Sequence, residues 1–195
     1  MRQYSALTWT FFALGIGLVA YAWLTPPQPY TEARTIGTRV SEFKELMRRF
    51  QEIARDKNAS YAFAVLLRAK LAPNTDLHLL GHAIGDVMYE QKGVDGIAEC
   101  TQELRNACSH AVVIGALNEF GTEALPMIRD ACKKAPGGAG AYTMCFHGLG
   151  HGVFAYYSYS LPETVEFCRS TGTAEYENEE FSQCVSGAVM ELMGG

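Results

Sequence analysis

Leu125-Pro126-Met127-Ile128-Arg129-Asp130-Ala131-Cys132, then a glycine-rich break, then Cys145-Phe146-His147-Gly148-Leu149-Gly150-His151-Gly152, is the stretch from which the rest of the chain can be read. Proline is tolerated only in the first turn of a helix, so Leu125-Pro126 marks a helix start. Cys132 lies at the end of that helix. Pro136-Gly137-Gly138-Ala139-Gly140 is a loop. Cys145 then opens a second helix. One unit is therefore a helical hairpin with a cysteine on each arm.

The unit recurs. Leu161-Pro162 is followed by five residues and Cys168, and Gly93-Val94, with five residues and Cys100, is a looser copy. The second arms begin at Cys108-Ser109-His110, Cys145-Phe146-His147 and Cys184-Val185-Ser186. The copies are spaced by 32 to 39 residues, the size of a helix–turn–helix repeat. Six cysteines allow fifteen pairings. The repeat selects the pairs that close each hairpin: Cys100 with Cys108, Cys132 with Cys145, and Cys168 with Cys184. Upstream, Phe43, Met47, Phe50 and Ile53 recur at helical spacing behind Ser41. Ser60 precedes a second apolar helix, Tyr61 to Leu71. Thr75 and Asp76 are placed to cap the helix that carries His78. No stretch alternates with period two for the length of a strand. The expected fold is all-α: an α-solenoid-like array of disulfide-stapled two-helix repeats. This architecture is similar to tetratricopeptide or Sel1-like arrays, without their diagnostic residues.

All five histidines share the frame of the second arm. His78 and His82 form one i,i+4 pair, and His147 and His151 another. His110 stands alone in its copy, and Ser186 replaces it in the last. Residues four apart on a helix lie one turn apart on one face, so each pair can aim two imidazoles at one ion. Cys145 and His147 differ by about 200° around the helix, so the cysteine reaches its hairpin partner while the histidine points away. Asp86, one turn beyond His82, is a sixth candidate ligand. The expected cofactor is a transition metal ion, zinc by default, with copper or iron also suited to imidazole. Met88, Met127, Met144, Met190 and Met193 keep copper open. No Cys-x-x-Cys-His haem motif, phosphate loop or HExxH motif is present. If the ion is catalytic it activates water or oxygen, with Asp86 or Glu119 as base. Gly81, Gly115, Gly148, Gly150, Gly152 and Gly187 crowd these helices, each at a cost of about 1 kcal/mol relative to alanine. Close helix contact or close approach to a ligand must offset it.

The N-terminus sets the compartment. Ala6 to Leu24 carries no charge and is long enough to cross a bilayer. Arg2 before it keeps the N-terminus cytosolic. The expected organisation is an anchor over 1–25, a linker over 26–40 and an extracytoplasmic domain over 41–195, in the periplasm or an equivalent space. Ala20-Tyr21-Ala22 also fits a signal-peptidase site, and either reading puts the cysteines in an oxidising space. Net charge is −5, and residues 71–195 carry six Lys/Arg against sixteen Asp/Glu. That acidity excludes nucleic acid as a partner. The acidic run Glu175 to Glu180 reads as a solvated loop. The competing function is a non-catalytic module whose helical array docks a partner protein.

Overall fold

The computed structural model describes residues 29–39 and 42–193. All regular structure among them is helical: α1 (Tyr30–Arg39), α2 (Phe43–Asp56), α3 (Ala59–Leu66), α4 (Leu77–Lys92), α5 (Ala107–Phe120), α6 (Leu125–Cys132), α7 (Gly138–Tyr156), α8 (Leu161–Arg169) and α9 (Glu179–Leu192). Short 3-10 segments cover Gly93–Glu99, Glu103–Asn106 and Gly121–Ala124. The Ala6–Leu24 segment lies outside the described residues. Among the described residues no helix is long and apolar enough to cross a membrane.

Local signals explain most boundaries. Asn58 caps α3 by accepting from Tyr61 N at 2.7 Å, and Asp76 caps α4 by accepting from Leu79 N at 2.9 Å. Pro126 and Pro162 sit in the first turns of α6 and α8. Gly93 and Gly121 end α4 and α5 at φ 59° and 61°, where a side chain would be strained. Some expectations needed correction. The 26–40 linker contains α1, which buries Ala33 and Ile36 against the core. α3 stops at Leu66, well before Leu71. The first arm of the Cys100 copy is a 3-10 segment, because Gly93 and Gly96 weaken an α-helix there.

α4, α5, α7 and α9 pack side by side in that order. α2 and α3 pack on α4, and α8 packs on α9. Phe50, Leu80, Ile84, Leu117, Phe146 and Leu149 are among the core side chains fully removed from solvent. Glycines set the spacing of the row. A methyl at Gly85 would meet Ala111 Cβ at 2.6 Å, and one at Gly148 would meet His110 Cα at 2.6 Å. Methyls at Gly150 and Gly187 would collide with the carbonyl oxygens of Cys184 and His147. Backbone-close helix contact therefore offsets the glycine cost. Gly187→Ala is expected to lose about 3 kcal/mol, because a neighbouring backbone cannot give way. Gly140, with open space around it, is the control: Gly140→Ala should gain about 0.5 kcal/mol. Urea denaturation of the two variants checks the contrast.

Three disulfides join Cys100 to Cys108, Cys132 to Cys145 and Cys168 to Cys184. These are the pairs that the hairpin spacing predicts. Their sequence separations are 8, 13 and 16 residues. Through the entropy of the unfolded chain, each contributes about 2.5–3 kcal/mol. Reducing all three should therefore move the denaturation midpoint far down, measured with and without dithiothreitol.

The acidic run is not all loop. Glu179 and Glu180 begin α9, and Glu180 has 0% exposure. Its carboxylate accepts from Tyr142 Oη at 3.0 Å, Thr173 Oγ1 at 2.6 Å and Thr173 N at 3.2 Å, and pairs with Arg129 at 3.3 Å. Arg129 also donates to Thr171 O at 2.9 Å. One buried ion pair thus ties α6, α7 and α9 to the 171–173 turn.

Candidate metal centre

The row of helices brings all five histidines into one cluster with His110 at its middle. Ring centroids of His78 and His82 are 4.7 Å apart on α4, and those of His147 and His151 are 5.0 Å apart on α7. His110 on α5 is 5.9 Å from both α4 rings, and 5.4 and 5.9 Å from the α7 rings. Gly148 makes this possible, since it lets α7 lie directly against the His110 backbone.

Hydrogen bonds orient the outer rings. His78 Nδ1 donates to Leu104 O at 2.6 Å, which leaves a lone pair on Nε2. His82 Nε2 stands 3.1 Å from that atom. Two nitrogens on a tetrahedral ion with bonds of 2.0–2.1 Å lie about 3.3 Å apart, so this spacing fits a shared ion. His151 Nδ1 donates to Glu191 Oε2 at 2.9 Å, leaving the lone pair on its own Nε2. A carbonyl or carboxylate behind the imidazole is how metal-binding histidines are held.

Inside the cluster, partners run out. Both ring nitrogens of His110, Nδ1 of His147 and Nε2 of His151 are buried and meet no hydrogen-bonding group. His110 is only 2% exposed and His147 6%. An unpaired buried polar atom costs about 1–3 kcal/mol, so the arrangement is expensive as a purely structural device. Burial, and then the neighbouring charges of His78 and His151, lower His82 to about 4. Burial and then His151 lower His147 to about 4, against an opposing hydrogen bond from Gln183. Burial, followed by the other four rings, holds His110 well below the ordinary imidazole range. These three rings are therefore neutral at pH 7, the form that binds a metal.

One nitrogen each from His78, His82 and His110 lie within 4.8 Å of one another. Asp86 does not join that group. It is exposed, and it lines a separate groove with Tyr89, Glu90, Asn118 and Glu119. Glu119 accepts from Tyr89 Oη at 2.5 Å in that groove. Sequence reasoning missed the Leu104 carbonyl, which no residue type announces. It also missed Glu191, for which there was a signal. Glu191 occupies the frame position held by Ala83, Gly115 and Gly152 in the other copies, so a lone charge there stands out. No family model, curated protein or solved structure matches this chain.

Proposed function

We propose that this protein binds a transition metal ion through His78, His82 and His110, with His147 and His151 completing the histidine seam. The carrying observation is the set of buried imidazole nitrogens without partners at the centre of the cluster. The second supports are the Leu104 and Glu191 acceptors behind His78 and His151. The all-imidazole donor set suits zinc, copper or iron. The three disulfides favour an oxidising, extracytoplasmic compartment. With the Ala6–Leu24 segment as anchor, the domain is a single-pass membrane protein whose hairpins form a helical-repeat array. A second reading, an interaction module, is favoured by the exposed Val189, Met190, Leu192 and Met193 at the end of the row.

Elemental analysis of the untagged protein separates the two. The metal reading expects about one ion per chain and a melting temperature that falls with chelator. His82→Ala should remove most of that metal, and Asn118→Ala should leave it in place. A metal-free wild type whose melting ignores chelator and added zinc, copper or iron overturns the metal reading.

A further inference from the structure

A cavity of about 270 Å³ opens beside the cluster, lined by His78, Arg105, Asn106, His110, Met144, His147 and Met190. Two of the three proposed ligands, His78 and His110, form part of its wall. Three protein ligands leave a fourth position for an exogenous group, and here that position borders an open cavity. Arg105 is the one permanently charged side chain in the lining, and among the described residues no ion pair engages it. It is held there by an unusual backbone: Leu104, Arg105 and Asn106 take φ values of 56°, 56° and 63° in succession. Such conformations cost energy in residues other than glycine. The run does two things at once, since it turns the Leu104 carbonyl onto His78 and puts Arg105 at the cavity. The amino end of α5, the positive end of its dipole, begins immediately after it. The buried, unpartnered ring of His110 faces the same space. Met144 and Met190 supply an apolar wall.

The geometry points to a binding site for a small anionic ligand, a carboxylate or a comparable monoanion, that coordinates the ion through an oxygen or nitrogen and is held by Arg105 at its charged end. The volume suits a small ligand, and the methionines accept a short apolar tail. This inference rests on the metal reading.

The test uses the full chain loaded with Co(II), whose visible bands report the coordination of the ion. Titration with azide or acetate should shift those bands saturably. Arg105→Ala should weaken the anion midpoint by about tenfold, the worth of one charge-assisted contact, with Arg105→Lys between the two. Co(II) affinity itself should stay unchanged in both variants. If Co(II) binds and its bands ignore every anion, the coordination is closed and the anion site is overturned while the metal reading stands. Equal anion midpoints in wild type and Arg105→Ala overturn the role of Arg105. Failure to take up Co(II) overturns both readings together.

Discussion

Glu180→Ala is expected to destabilise the protein by about 3–5 kcal/mol, the cost of breaking a buried ion pair from one side. The melting temperature of a domain of this size should then drop by roughly 10 °C. The loss strikes at several groups together. Arg129 keeps its charge with only 20% of its side chain exposed, while Tyr142 and Thr173 lose their acceptor. Glu180→Gln keeps an acceptor oxygen and should cost less. The same residue sets an acid limit. Burial pushes its carboxyl up, but hydrogen bonds from Thr173, Tyr142 and the backbone outweigh that, and the group lies below its ordinary value of 4.5. A carboxyl lowered on folding contributes stability above its unfolded value and loses it as the pH falls through the folded one. Wild type should therefore lose stability below about pH 4.5, and Glu180→Gln should show a flatter acid limb in calorimetry at stepped pH.

His110→Leu is expected to change sign with metal. In the metal-loaded protein it removes the central ligand, so the ion is lost along with the stability that binding adds, about 4 kcal/mol when free metal is a thousandfold above its dissociation constant. With chelator present, the same change removes two buried nitrogens that have no partner and replaces them with apolar surface of similar volume. The variant should then match or exceed chelated wild type. Paired melts of both proteins, with metal and with chelator, read the crossover. A variant less stable than wild type by the same margin in both conditions would assign His110 to the core alone.

The hairpins and their bridges were legible because each depends on short-range chemistry. A proline must lie in the first turn of a helix, and a cysteine must lie near its partner. The convergence of the histidines was legible for a similar reason, as one frame carried along successive helices. What sequence could not resolve was tertiary. Asp86 shares a helix face with His82, but the stripe continues past the cluster and out to solvent. Glu180 looks like any other residue of an acidic run, and only Arg129, fifty-one positions away, makes its burial tolerable. His110 appeared to be the odd copy, because Ile114 takes the place of its i+4 partner. That single ring is central because Gly148 brings α7 against it, a contact that depends on what α5 presents.

The bridges also carry a message about biosynthesis. The six cysteines pair two by two in chain order, at sequence separations of 8, 13 and 16. A polypeptide emerging amino end first can close every bond before the following pair comes out. No thiol has to wait for a distant mate. Non-native pairing arises only when a cysteine skips its nearest neighbour, so oxidation in order of emergence yields the native set without reshuffling, and the protein should mature in cells that lack a disulfide isomerase.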